Sequence, residues 1–200
     1  MTDGHIVDAT GLPPEFPTHL HDSKIWEELG RTVATFGFLE EILGKAIFAF
    51  SATTEYSEEA VEEVLESWLK QLEKALTDTL GAKIDAYAKA VNANGKLEME
   101  SFDQLIDDLR EASRLRNVLC HGSWQAPNDD GTVRIKFVNR KKLVFGTPVD
   151  AAFLKQTRDA TAELAVHVIN TVTVMGWNFP GSNGPEKAIW KPATDDGSDG

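Results

Sequence analysis

The chain is poor in the residues that build several common kinds of site. Its 200 residues include one cysteine, Cys120, so neither an intramolecular disulfide nor a zinc site built from several of its cysteines is available. It lacks the long apolar run of a membrane helix, and its first residues show no basic stretch followed by an apolar core. Glycine-rich phosphate loops and Gly-x-Ser-x-Gly elbows are also missing. We therefore expect a cytoplasmic protein without a membrane segment.

Positive charge is scarce as well. The 20 Lys and Arg residues face 32 Asp and Glu residues, which leaves a net charge of -12. This balance disfavours a protein that coats nucleic acid non-specifically, because such proteins need many cations to displace counterions. Five cations nevertheless fall in one short segment without an acid: Arg134, Lys136, Arg140, Lys141 and Lys142. The segment is either an anion-binding surface or a solvated hairpin that offsets an acidic protein.

Apolar residues recur at three- and four-residue steps along most of the chain, which predicts an all-α fold. Residues 1–21 contain three prolines and show no such period, so we expect an extended or loosely docked arm there. The first helix is predicted over 22–50. A second helix, or a close pair of helices, is predicted over 57–91, with a bend or an end at Gly81. A third helix is predicted over about 99–121, where Gly122 is placed to stop it.

The period changes after the third helix. Residues 132–138 alternate between apolar and polar side chains, and residues 142–145 form a second short β-like run. A turn between the two runs predicts a small hairpin over about 132–146.

The last helix is predicted from a cap-like segment, Thr147-Pro148-Val149-Asp150, to about Met175. Residues 176–200 are rich in Gly, Pro, Asp and Ser and predict a flexible tail. The expected fold is therefore one domain over 22–175, a bundle of four to five up-and-down helices with the hairpin inserted before the last helix.

Two charged residues occupy positions where the helical pattern calls for apolar ones. At about 100° per residue, Arg116 falls in the apolar sector of the third helix. Glu40 fills the centre of the apolar seam of the first helix, which includes Val33. An unpaired buried charge costs several kcal/mol, so we predict that Glu40 lies near Arg116. The pair either fixes helix register or belongs to a functional cleft.

Asn117 and His121 provide further chemistry beside Arg116. They are four residues apart, which places their side chains together on one helix face. An amide at that position can orient an imidazole. The three residues supply a proton-transfer group, a group that positions it and a fixed cation, which are the parts that phosphodiester cleavage requires.

The segment Arg116-Asn117-Val118-Leu119-Cys120-His121, late in an internal helix of a helical bundle, resembles the motif of HEPN domains. That motif has an arginine, usually a polar residue next, and a histidine after about four intervening residues. The continuation through Gly122, Ser123 and Trp124 into a hairpin and a closing helix extends the likeness over residues 22–175.

The resemblance implies a metal-independent endoribonuclease without a cofactor, typical of toxin–antitoxin, phage-defence or RNA-processing systems. It implies a homodimer and an inhibitory antitoxin protein as partners. His121 would transfer the proton, Arg116 would hold the scissile phosphate and Asn117 would orient them, with the RNA 2'-hydroxyl as nucleophile. The basic hairpin would clamp flanking phosphates.

Two features depart from the best-known members of the family. In one HEPN toxin group, a tyrosine lies two residues after the histidine, and the partner enzyme modifies that tyrosine. This chain has Ser123 at the position, so we expect no regulation of that kind. Many HEPN domains have lost catalysis. A non-catalytic module for RNA binding or dimerisation is therefore the alternative function.

Other candidate residues have simpler interpretations. Cys120 points about 100° away from His121 and is expected to be a small buried thiol. His19 and His21 are too few ligands for a metal site. His167 is expected to be a satisfied core histidine, and Trp124 to cap the core rather than to stack on a base.

Overall fold

The computed structural model describes residues 8–54, 70, 73–74, 77–138, 142 and 144–181. Most of these residues are helical, and a two-stranded antiparallel sheet precedes the last helix, which confirms the predicted architecture at that level. The continuous elements are α1 (Ser23–Ala52), α2 (Leu80–Asn94), α3 (Phe102–His121), β1 (Ser123–Pro127), β2 (Val133–Lys136) and α4 (Ala151–Thr173). None of the described helices is long and apolar enough to cross a membrane.

The predicted helix over 57–79 falls mostly outside the described residues, as does the tail beyond 181. At the other end, residues 8–21 run through successive turns. The C-terminal side extends further than predicted, because Phe179 is buried at 3% exposure and Trp177 packs against the core.

Side-chain caps fix where the helices begin. The Asp22 carboxylate accepts from the backbone N–H of Lys24 at the start of α1, and the Asp150 carboxylate accepts from that of Phe153 at 2.7 Å at the start of α4. The predicted cap of the last helix is therefore correct in place but wrong in residue, since Asp150 rather than Thr147 is the N-cap.

Of two glycines predicted to affect the helices, Gly122 does so and Gly81 does not. Gly122 ends α3 as predicted and leaves it in extended backbone, with φ -77° and ψ 153°. Gly81 does not bend or end a helix. It lies in the first turn of α2, whose N-cap is Thr79.

The core forms between α1 and its neighbours α2 and α4, and α3 closes the bundle. Tyr87 of α2 is fully buried, and its hydroxyl lies 2.7 Å from the hydroxyl of Thr171 in α4. Burial raises the pKa of the Tyr87 phenol. On α1 the buried seam runs through Phe36, Leu39 and Leu43, whereas Val33 is 40% exposed, which corrects its predicted place in the core.

α3 runs antiparallel to α1. Trp124, just beyond the end of α3, packs on Trp26 near the start of α1, with 5.2 Å between ring centroids. Arg116, earlier in α3, lies opposite Glu40, further along α1. The two helices therefore bring the motif beside the middle of α1.

The hairpin differs from its prediction in one strand. β2 was predicted and alternates as expected, with Val133 and Ile135 buried. Its partner is β1, the segment that directly follows α3, paired antiparallel with Ser123 opposite Lys136. The predicted partner, 142–145, contributes an isolated bridge through Val144. Because Gly122 releases the chain from α3 in extended backbone, that chain runs directly alongside β2.

Candidate functional site

The motif lies in the last two turns of α3, where Arg116 and Asn117 are half-buried and His121 is exposed. An Nη1 of Arg116 donates toward Nε2 of His121 at 3.4 Å and toward Oδ1 of Asn117 at 3.3 Å. The three predicted residues therefore meet around one guanidinium. His121 is accessible to a ligand from solvent.

The Arg116–His121 contact indicates which ring nitrogen can accept a proton. A guanidinium can only donate, so in this contact Nε2 of His121 accepts, as it does when a neutral ring carries its proton on Nδ1. To act as a general base, Nε2 needs this lone pair, so Arg116 must turn from it to the bound substrate. The same guanidinium can stabilise negative charge on a group that binds next to this nitrogen.

Asn117 acts differently from its prediction. Its amide oxygen accepts from Arg116, and within the described chain no hydrogen bond joins it to His121. Asn117 therefore positions the arginine, which in turn contacts the imidazole. The four-residue spacing correctly predicted a shared helix face but not this order of contacts.

The predicted proximity of Glu40 to Arg116 is confirmed. An Oε1 of Glu40 lies 3.8 Å from Nη2 of Arg116, and the two side chains are 25% and 31% exposed. The pair is therefore half-buried rather than buried. A partly solvated pair at this distance holds the guanidinium loosely and leaves it able to bind an anion.

The basic segment is joined to the motif through the hairpin. Arg134 and Lys136 are exposed on the solvent face of β2, and Lys142 is also exposed. Arg140 and Lys141 lie outside the described residues. Thus three of the five predicted phosphate-binding cations are on the surface.

Gly122 sets how close this strand comes to the motif. A Cβ at Gly122 would overlap the Ile135 side chain and lie 2.6 Å from the carbonyl oxygen of Val118, so β2 packs directly against the end of α3. The register places Lys136 opposite Ser123, two residues after His121. The backbone of Lys136 is thereby held close to the end of α3 that carries the motif.

The remaining candidates are placed as follows. Trp124 is half-buried and donates from Nε1 to the carbonyl of Leu119 at 3.3 Å, as expected of a core cap. His21 lies between the carbonyl oxygens of Thr18 and Gln125, at 3.1 and 2.8 Å. Within the described ranges, no group of three or more His, Cys, Asp or Glu side chains converges to hold a metal ion.

Two predicted burials are wrong. Cys120 is exposed, because the last turn of α3 is covered on the side of Val118 and Leu119 and not on its own side. His167 is also exposed and borders a groove of about 320 Å³ between α3 and α4. We call this the acidic groove. Its rim and floor include Asp108, Glu111, Leu115, Glu163, Leu164 and His167.

The acidic groove was not predicted, because an angular projection places residues on one helix and does not show where a neighbouring helix diverges. The surroundings of the motif are more basic: an accessible imidazole, a half-buried guanidinium and a strand that carries cations. A scan against protein-family models, a search of curated proteins and a search of solved structures each found no match.

Proposed function

We propose that the chain is a metal-independent endoribonuclease of the HEPN type. The observation that carries the proposal is the 3.4 Å contact between the Arg116 guanidinium and Nε2 of the exposed His121, which puts a cation beside a group that can transfer a proton. Lys136, exposed on β2 and paired in register with Ser123, would be within the reach of a flanking phosphate.

In the proposed reaction, Nε2 of His121 takes the proton from an RNA 2'-hydroxyl. The resulting oxygen attacks the adjacent phosphorus and forms the 2',3'-cyclic phosphate. The P–O5' bond breaks, the 5'-oxygen takes a proton from water, and the hydroxide that remains takes up the proton held by His121. Arg116 stabilises the negative charge that builds up on the phosphate oxygens, and Asn117 holds its guanidinium in place. DNA, which lacks the 2'-hydroxyl, is not cut.

The proposal extends to the setting of the enzyme. A single-stranded RNA is the substrate, a second copy of the chain and an inhibitory antitoxin protein are its partners, and the cytoplasm is its compartment. The resemblance to HEPN domains extends the proposal to activity in a toxin–antitoxin or phage-defence system.

The first test is cleavage of labelled single-stranded RNA in excess EDTA, with analysis of the fragment ends. We expect 2',3'-cyclic phosphate and 5'-hydroxyl ends from the unchanged protein. His121→Ala should lower the rate by about 10²- to 10⁴-fold, the usual contribution of a general base. Intact RNA at high protein concentration would contradict the proposal.

His167→Ala is the matched control. His167 is likewise an exposed helical histidine, but it borders the acidic groove. Its loss should leave cleavage unchanged. Equal activity in all three proteins would reveal a contaminating nuclease.

A non-catalytic RNA-binding module is the second candidate, and one observation favours it. The Glu40 carboxylate lies near the guanidinium that a phosphate would need, at 3.8 Å. If it competes successfully, the basic strand binds RNA without cutting it. Binding without cleavage in the EDTA assay would support this candidate.

A further inference from the structure

The arm that precedes α1, described over residues 8–21, carries an aromatic pair on its surface. The rings of Phe16 and His19 stack with 5.9 Å between their centroids and 28° between their planes. Both residues are exposed, and Phe16 keeps 54% of its surface open to solvent. A phenylalanine is usually buried, because its ring removes a large apolar area from water. An exposed stacked pair therefore indicates a surface that binds a ligand.

Hydrogen-bonded turns hold the two rings in place. The backbone N–H of Phe16 donates to the carbonyl of Pro13 at 3.2 Å, and that of Thr18 donates to the carbonyl of Glu15 at 2.7 Å. The following turn is closed by the N–H of His21, which donates to the carbonyl of Thr18 at 3.0 Å. A ligand that binds the pair therefore meets an ordered segment, so little conformational entropy is lost on binding.

The arm is attached to β1, the strand that follows the motif. A carbonyl oxygen can only accept, so Nε2 of His21 donates to the carbonyl of Gln125 at 2.8 Å. The ring of His21 also packs on Trp26, with 5.0 Å between centroids, and Trp26 contacts Trp124 of β1. These contacts hold the arm beside the strand that leaves the end of α3.

This attachment limits the distance between the aromatic pair and the motif. Gln125 is four residues after His121, which is about 14 Å of extended chain, and His19 is two residues before His21, about 7 Å. With the hydrogen bond between them, the pair lies within roughly 30 Å of His121. Domains that bind single strands cover about 4–16 nucleotides, so one RNA strand can contact both places.

The charge of the arm determines which part of an RNA it can contact. Residues 1–21 contain no lysine or arginine, and Glu15 directly precedes Phe16. A phosphate therefore finds no lysine or arginine there. A base needs no cation, because it offers a π face that stacks on an aromatic ring. The arm thus suits a base, whereas the exposed cations of β2 suit phosphates.

We propose that Phe16 and His19 form a stacking platform for one unpaired base of an RNA strand. The inference rests on the proposed function, because the strand is the one that His121 would cleave. The open face of the Phe16 ring takes the base, and His19 supports the ring from its other face. Every base has a π face, so the platform accepts any sequence. A base inside a duplex is already stacked on its neighbours, so the platform selects single-stranded RNA.

Replacing the ring while keeping an apolar side chain tests stacking. In the His121→Ala background, which prevents cleavage, Phe16→Leu should weaken binding of a labelled single-stranded RNA by about 5- to 100-fold, the range expected for one lost base stack. The slope of log affinity against log salt should stay unchanged, because no phosphate contact is lost. Phe16→Trp should bind at least as tightly as the protein with Phe16.

Leu20→Ala is the matched control. Leu20 is an apolar residue of the same arm with a similar exposure, 59%, but without a ring, and its loss should leave binding unchanged. A strand of abasic nucleotides of the same length provides the second control, because it keeps the phosphates and lacks the bases. Phe16→Leu and the protein with Phe16 should bind this strand equally. Circular dichroism would show that every variant is folded.

Unchanged RNA affinity in Phe16→Leu would overturn the inference, as would an equal loss on the abasic strand. Equal losses in Phe16→Leu and Leu20→Ala would also contradict it, because they would assign the arm to an apolar partner such as a protein surface. In each case, cleavage of an RNA dinucleotide, which is too short to reach the arm, would still uphold the ribonuclease. Conversely, base-dependent binding through Phe16 with RNA left intact by the unchanged protein would uphold the platform and contradict the ribonuclease.

Discussion

His121 and His167 are both exposed histidines on neighbouring helices, and their surroundings are opposite in sign. His121 contacts Arg116, and the strand that pairs with the segment after it carries the exposed Lys136 opposite Ser123. His167 borders a groove with Asp108 and Glu163 on its rim. A phosphate is attracted to the first and repelled by the second. Exposure thus makes a histidine available, whereas its charged neighbours determine which ligand it can meet.

The same contrast runs along α3. Its first half carries Asp103, Asp107 and Asp108, and its second half carries Arg114 and Arg116. Acids near the start and bases near the end of a helix are stabilised by its dipole. Of the charged residues of α3 only Asp103 lies in the first turn, and the basic residue of the last turn is His121, so the dipole does not account for Arg114 and Arg116.

The largest expected difference compares two arginines of α3. Arg116→Ala should lower RNA cleavage by about 10²- to 10³-fold, because the developing phosphate charge loses its stabilising cation. Arg114→Ala, two residues earlier, should leave cleavage nearly unchanged. Arg114 pairs with Glu111, which raises its pKa, and its guanidinium lies over the ring of Phe145, 5.8 Å from the centroid. Similar losses in single-turnover rate would contradict the assignment of the site to the last turns of α3.

A smaller effect, on the free energy of unfolding, tests how closely β2 packs against the end of α3. Gly122→Ala should lower the free energy of unfolding by about 1–3 kcal/mol, because its Cβ would overlap Ile135 and the Val118 carbonyl. Gly81→Ala has only an ordinary 3.6 Å contact with Ser113 and should stabilise α2 by about 0.5–1 kcal/mol. Urea unfolding measures both. Equal shifts would show that the hairpin does not press on α3.

The smallest effect concerns the basic strand. Lys136→Glu should weaken RNA binding and lower the slope of log affinity against log salt by about 0.7 per lost phosphate contact. Lys155→Glu, the same reversal on α4, should leave the slope unchanged. Fluorescence titrations at several salt concentrations with the non-cutting His121→Ala background would measure this. An unchanged slope for Lys136→Glu would assign the strand to solvation rather than to RNA.

Much of this fold is encoded in local signals. The stop at Gly122, the cap-like segment ending in Asp150 and the alternation of β2 are all legible in the sequence, because each depends on a few adjacent residues. The proximity of Glu40 and Arg116 was also predictable, since two opposite charges in apolar seams have few ways to be accommodated.

The features that the sequence did not predict depend on how separate helices and strands pack against each other. β1 has a proline at its end and no clear alternation, and only its release from α3 at Gly122 brings it beside β2. Cys120 and His167 lie on apolar sectors of their helices but face places where no described helix covers them. The order of contacts from Asn117 through Arg116 to His121 depends on side-chain rotamers, which spacing does not determine.

The close contact at Gly122 divides the hairpin into a fixed and a free end. At the fixed end, Ile135 locks the strand to α3, so an insertion there would move Lys136 away from the motif. At the other end, residues 128–131 form an exposed turn with no role in that contact. The turn can therefore be exchanged without disturbing that contact: in the proposed ribonuclease, a longer or differently charged loop grafted there would extend the reach of the protein along an RNA strand and leave the surroundings of His121 unchanged.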